Sequence, residues 1–314
     1  MKTNKYNDFK ETSISKRKSF RKIKNELGAW GFLMPHFLFF VLFVIVPLIY
    51  GFVMSFYRWS ILGTTRYVGL SNYIKIWNDS RFWLSVKNTI IFAIISIPLV
   101  ITISMLFALL LKQKLYGKLW LLIAFVSPTF FGSVGILTTW RWIFASTPNG
   151  LLNYYLMKLG ILSQPISWFE TPTRAWACII FVTVWWIMGF SVLLYLGALQ
   201  RIPPEQYEAA KLDGAGPWAS FWYITLPWMR NVLFFDVVRQ VLLAFGLFDQ
   251  VYFFTGGGPA GTTRTMIYYL YTVGFERQQL GRASAISWYM FLIIFVFALI
   301  NLFILTKSVK SAEG

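Results

Sequence analysis

The chain has 314 residues, of which 57% are hydrophobic and 13% charged, with a formal net charge of +17, whereas soluble domains carry about 25% charged residues. That balance excludes a water-soluble globular fold, because too few polar residues are present to cover the apolar ones. One cysteine and one histidine exclude a disulfide framework and a cysteine metal site, and leave a His-based triad or a metal cluster little to build on.

The chain begins with a basic arm. Nine of the 29 Lys/Arg precede Glu26, and a basic tail beside a hydrophobic helix reads as a topology signal or a contact with anionic lipid rather than with nucleic acid. Residues 1–27 are therefore expected to form a cytoplasmic arm, and 28–314 a single membrane domain. The first apolar block, near 30–57, has His36 at its edge after Pro35. It is too long for a secretory signal and lacks a following small-residue cleavage site, so it is expected to stay as a span.

Further apolar blocks lie near 88–111, 119–140, 175–199, 231–253 and 284–306. Each is about 20 residues long, enough for a helix to cross about 30 Å of hydrocarbon. The fold class expected is all-α and polytopic, with about six transmembrane helices. Pro47 and Pro98 fall inside blocks, where neighbouring helices and Ser/Thr groups can satisfy the freed carbonyls. Cys178, inside the fourth block, reads as packing. Six spans put both termini on one side. The segments 112–118, 200–230 and 307–314 hold eight Lys/Arg in 46 positions, and the opposite set, 58–87, 141–174 and 254–283, holds 11 in 94. The denser set, together with the basic arm, is assigned to the cytoplasm.

Between the fourth and fifth blocks runs RIPPEQYEAAKLDGAGPWASFWYITLP, residues 201–227. Pro203 and Pro204 can open a helix where a missing amide donor costs nothing, and Glu205 and Glu208 favour its positive end. Gly214 suits the left-handed residue that closes a helix, and Gly216-Pro217 turns the chain into a second short element. Such a helix-turn-helix is by itself an amphipathic connector. Its residues carry more: Glu208-Ala209-Ala210, Gly214 and Ile224-x-Leu226-Pro227 resemble, at full spacing, the EAA signature of permease subunits in binding-protein-dependent ABC importers. The resemblance implies a type I ABC importer permease fold in which 201–227 is the coupling segment. Glu208, Ala209, Ala210, Asp213, Gly214, Ile224, Leu226 and Pro227 would then meet an ATP-hydrolysing subunit, the small residues allowing close approach and Glu208 pairing with a basic group.

After the fifth block, Asp249 to Pro259 reads DQVYFFTGGGP, followed by Thr262, Thr263 and the aromatic run Tyr268, Tyr269, Tyr271. Locally this is an irregular turn. In context it resembles the Thr-x-Gly-Gly-Pro external loop of carbohydrate permeases of the maltose or glycerol-3-phosphate type, specifically their first subunit, and MPHFLFFVLFVIVPLIYGFVMSFY is similar to that subunit's opening span. The large external insertion of the maltose-type subunit is missing.

The resemblance implies a heterodimer with a second homologous permease, two ATPase subunits, an extracytoplasmic solute-binding protein, a sugar as cargo, and a bacterial cytoplasmic membrane as location. ATP and Mg would be bound by the ATPases, in keeping with the lack here of a GxxxxGK[ST] loop, and no cofactor, metal or catalytic residue is expected in this chain.

Polar groups inside spans are costly and face cavities or one another, which singles out Asp236, Arg239 and Gln240. Asp236 and Gln240 share a helix face continuing through Leu243 and Ala244 to Leu247. The alternative is an Asp236–Arg239 pair that neutralises itself. By alignment to the family, the sugar-contacting positions fall on Gln240, Ala244 and Leu247, on Thr183, Trp186, Ile187 and Phe190 in the preceding block, and on Thr129. Several differ from the maltose-type residues, and Trp186 and Phe190 can serve as packing or as sugar-stacking rings. A polyol, a sugar phosphate or an anionic oligosaccharide is the alternative cargo, the last suggested by Arg239. A membrane enzyme acting on lipid-linked sugars is the rival class. It would need clustered acids or histidines at one interface, but the outer acids Asp79, Glu170, Asp249 and Glu276 are scattered in sequence.

Overall fold

A computed structural model describes residues 30–31, 33–59, 65–113 and 115–310, with side chains described to residue 304. The basic arm expected over 1–27 lies outside these residues. The chain divides into two units, 1–54 and 55–314. The first unit contains most of helix α1, Leu33–Ser55, whose apolar residues are almost all uncovered.

The second unit opens with a small antiparallel hairpin, β1 Tyr57–Arg58 and β2 Arg66–Tyr67, and a short helix, α2 Ser71–Trp77. Asn72 pins that helix by donating to the Ser55 and Tyr57 carbonyls at 2.8 and 2.9 Å. Helix α3, Ser80–Lys112, begins eight residues before the apolar block. Asp79 caps it by accepting from the Arg81 amide at 2.9 Å, so its first turns are polar and hydropathy overlooks them.

The block expected as one span over 119–140 is broken. Helix α4, Lys118–Val126, passes through a 3-10 turn, Ser127–Phe130, and is bent by 104° from α5, Ser133–Ile143. Pro128 has no amide to continue the helical ladder, and Phe131 and Gly132 are extended. The described residues thus hold five helices long and apolar enough to cross a membrane, or six elements if the bent pair is one.

The short α6, Leu151–Lys158, leads to α7, Pro172–Leu199, which is the most buried of the candidate spans. Helix α7 packs along α3 more extensively than any other pair. After α8, Pro204–Leu212, and α9, Pro217–Ser220, the chain continues through a π segment, Phe221–Thr225, into α10, Leu226–Phe245. The helical run therefore starts well before the 231–253 block. Helix α11, Asp249–Phe254, then α12, Met266–Tyr271, and α13, Leu280–Lys310, complete the unit.

Three of the core clusters among the described residues organise the α3–α7–α10 bundle. One holds Phe92, Leu137, Cys178, Ile179, Val182 and Ala244, so Cys178 is a packed core residue. The second, around Ile76, Phe82, Phe245, Met266 and Ile286, joins α2 and α13. The third, around Met105, Leu111, Tyr195, Leu199 and Met229, lies next to residues 201–227.

The glycine-rich turn is tied to the bundle at several points. Thr255 and Thr263 share a hydroxyl hydrogen bond of 2.7 Å, Asn88 donates to the Gly261 and Arg264 carbonyls, and Trp176 donates to the Thr262 carbonyl at 3.0 Å. These contacts give the turn a structural role in fastening α3 and α7 to α11 and α12.

Candidate functional site

The segment expected to be a helix-turn-helix is one. Pro204 opens α8, and Gly214 sits at φ +80°, the left-handed conformation that glycine adopts without strain. The Ala215 amide donates to the Ala210 carbonyl at 2.8 Å and the Gly214 amide to Lys211 at 3.2 Å, the paired bonds of a Schellman cap. No residue of α8 is buried, and Leu212 at its end is 90% exposed. Glu208, Ala209, Asp213 and Pro227 are exposed, and Ala210, Ile224 and Leu226 half-buried. Two contacts hold this uncovered helix to the bundle: Tyr207 Oη and Thr225 Oγ1 lie 2.9 Å apart, and Lys112 Nζ stands 4.1 Å above the Tyr207 ring.

Further along α10 a cavity of about 350 Å³ opens between α3, α7 and α10, within the usual size range of small-molecule sites. Its walls include Thr129, Thr183, Trp186, Ile187, Arg239, Gln240, Ala244 and Leu247. The bundle therefore gathers eight of the ten residues singled out from sequence. It does not place Asp236 or Phe190 in the wall.

Asp236 is fully buried behind the cavity, where its carboxylate accepts from Arg239 Nε at 3.0 Å and from Tyr195 Oη at 2.6 Å. Buried charge in an apolar bundle persists only when it is paired and hydrogen-bonded. The self-neutralising pair weighed from sequence is therefore present, and Tyr195 recruits it into a wider network. Arg239 Nη2 and Gln240 Nε2 both donate to Ser191 Oγ, at 2.9 and 3.2 Å, and Phe190 stacks its ring 4.3 Å from the guanidinium. Phe190 thus backs Arg239 instead of facing the cavity.

The broken helix brings Thr129 in. Gly189 of α7 faces it so closely that a Cβ there would stand 2.6 Å from the Phe125 carbonyl oxygen and 2.7 Å from Thr129 Oγ1. This close approach lets Thr129 Oγ1 donate to the Trp186 carbonyl at 3.0 Å.

Phe92, Ser96, Gly246 and Gln250 also line the cavity, and sequence reasoning missed them in that role. Ser96, polar in an apolar block and two residues before Pro98, was a usable signal. So was the i, i+4 pair Ser191 and Tyr195. Among the described residues no group of three or more His, Cys, Asp or Glu is placed to hold a metal.

The family model for the binding-protein-dependent transport system inner membrane component matches residues 78–306. The chain belongs to that family.

This inner membrane component is 30% identical to the lactose transport system permease protein of Rhizobium radiobacter over 88% of this chain and 94% of that one. It is 32% identical to the trehalose/maltose transport system permease protein of Thermococcus litoralis, covering 90% and 95%. Its fold matches a chain of a bacterial ABC transporter involved in the import of the acidic polysaccharide alginate, with TM-score 0.80 and 20% identity over 92% of this chain and 99% of that one. The fold is that of an ABC importer permease, and the chain is a multi-pass transport subunit.

Proposed function

We propose that this permease forms half of the path by which a sugar or oligosaccharide, handed over by an extracytoplasmic solute-binding protein, crosses the cytoplasmic membrane by alternating access driven by two partner ATPases. One observation carries the reading: the coupling segment is spliced between two of the helices that wall the cavity. Helix α7 ends at Leu199 and α10 begins at Leu226. From Leu226 to Gln240 is about 21 Å of continuous helix at 1.5 Å per residue, so displacement of α8 is delivered to the cavity wall by a rigid rod.

The remaining parts follow from this layout. ATP and Mg belong to the ATPases, whose closure would move α8; the exposed Glu208, Ala209 and Asp213 and the half-buried Ala210 are the surface they would grip, with both termini on that cytoplasmic side. A second homologous permease would complete the path. Trp186 and Phe92 offer rings on which a sugar can stack, and Thr129, Thr183 and Gln240 offer hydrogen bonds.

The cargo we favour is uncharged. The anionic alternative rests on Arg239, but its charge is already met by Asp236 at 3.0 Å, and Asp249, the other ionisable residue of the wall, is acidic. The sugar named for the lactose and trehalose/maltose relatives agrees with a carbohydrate cargo.

The test is reconstitution of the complex with its ATPases and solute-binding protein. Solute-dependent ATP hydrolysis and uptake are expected, with Gln240→Ala raising the half-saturating solute concentration. Covalent turnover of a sugar substrate by the isolated chain would overturn the reading.

A further inference from the structure

A second cleft, of about 380 Å³, lies between β1, α2 and the start of α13. Four cations line it, Arg58, Lys75, Arg277 and Arg282, together with Asn72 and Gln279 and with no carboxylate. Arg282 is held in place by donating from Nη1 to Gln279 Oε1 at 2.8 Å, while its Nε is buried with no hydrogen-bond partner. An unsatisfied buried guanidinium nitrogen among like charges is costly, and an anion in the cleft relieves that cost.

Among the described residues, none supplies one. Asp79 is close enough to feel Arg282, yet its carboxylate is engaged by Tyr269 Oη at 2.6 Å and by the Arg81 amide. Burial pushes the Asp79 carboxyl upward, but those hydrogen bonds and the charges of Arg81 and Arg282 outweigh it and hold the group below the usual carboxylate range. Glu276 is exposed beside Arg277 and lies outside the cleft wall.

Two geometric facts identify the side from which the anion comes. Helix α3 runs from Asp79, beside the cleft, to Lys112, which stacks on Tyr207 of the coupling segment. At 33 residues it puts about 50 Å between the two, so the cleft opens on the face opposite the ATPase surface. Helix α2 then shows which way it opens. Leu70, Ile74 and Trp77 are exposed along one stripe of that helix, next to Trp83, whereas Asn72 and Lys75 lie toward its other side. An apolar stripe with tryptophans belongs at the lipid interface, so the cleft on the far side faces water.

We propose that this cleft is the docking point for a carboxylate-bearing loop of the soluble solute-binding protein. The proposal rests on the transport reading above. Complementary charge at such a contact steers encounter and fixes register, and the two pinned ends, Asn72 on the Ser55 and Tyr57 carbonyls and Arg282 on Gln279, preform the site.

The test uses the assembled transporter in nanodiscs and its purified solute-binding protein as the titrant. Arg58→Glu with Lys75→Glu is expected to raise the half-saturating concentration at least about tenfold. Wild-type binding is expected to weaken from about 50 to about 300 mM salt while the variant's changes little. Arg277→Glu, also exposed, should act in the same direction, and Lys158→Glu, outside the cleft, should not. Equal affinity and equal salt dependence in wild type and variant overturn the proposal. So does a variant that keeps partner affinity but loses bound phosphatidylglycerol, which would make the cleft a lipid site. The transport reading fails separately, if the wild-type complex shows no solute-dependent ATP hydrolysis.

Discussion

Residues 201–227, proposed above to couple to the ATPases, and the polar network behind the cavity are joined through α10 and are built in opposite ways. Helix α8 buries nothing, whereas Asp236, Tyr195 and Ser191 on the adjoining helices are fully buried, Tyr195 donating to Asp236 and Arg239 bridging Asp236 to Ser191. A nine-residue helix is marginal alone in water, so α8 depends on its proline start, its Schellman end and the Tyr207–Thr225 contact. The difference teaches which part of the molecule is unfinished. The network behind the cavity has its groups bonded before any partner arrives, and the exposed surface of α8 is the part that, on the proposed function, a partner completes.

The comparison breaks most sharply at Gly214. Replacement by Asp forces a side chain into the left-handed region, at a cost of about 1–2 kcal/mol, and puts a charge on the surface proposed to meet the ATPase. The expected outcome is normal membrane insertion with loss of solute-stimulated ATP hydrolysis or of ATPase binding. Normal transport with normal ATPase binding would remove the coupling role. Asp236→Ala attacks the other region. It strands Arg239 and Tyr195 without their acceptor and is expected to cost about 3–5 kcal/mol, read as a lowered unfolding temperature of the detergent-purified chain. An unchanged unfolding temperature would mean the network is not holding α7 to α10.

Gly189→Val should cost about 1–3 kcal/mol through overpacking and displace Thr129 from the cavity, raising the solute concentration needed for half-maximal uptake more than it lowers stability. Tyr207→Phe has the smallest expected effect, about 0.5–1.5 kcal/mol for one hydrogen bond. It should leave the interior unaffected, with the unfolding temperature nearly unchanged, and reduce the ATPase stimulation per bound solute-binding protein. A shift in the same direction from Thr225→Val would confirm that the two hydroxyls act together.

Much of this organisation was legible in the chain. The apolar blocks announced the spans, and Pro203-Pro204 and Gly214 announced the ends of α8, because proline and glycine act locally. The positions Gln240 and Ala244 were legible as one face because helical periodicity fixes it, whereas Leu247 reaches the same cavity from beyond the end of α10 at Phe245. The break at Pro128 was hidden, since a proline in a membrane helix is compatible with a straight span, a kink or a reversal, and only the packing of α4 against α7 selects among them. The early start of α3 was hidden because its polar first turns carry no hydropathy signal.

Sequence by itself therefore determined the class of solvent, the number of apolar blocks and the family, because composition, periodicity and a spaced motif are properties of a chain read in order. Tertiary structure decided that Arg239 is already neutralised, that Phe190 backs it instead of facing the cavity, and that four cations scattered from Arg58 to Arg282 share one cleft. The physical reason is that electrostatics and cavities depend on distances across the bundle, and residues more than 200 positions apart become neighbours only when helices pack.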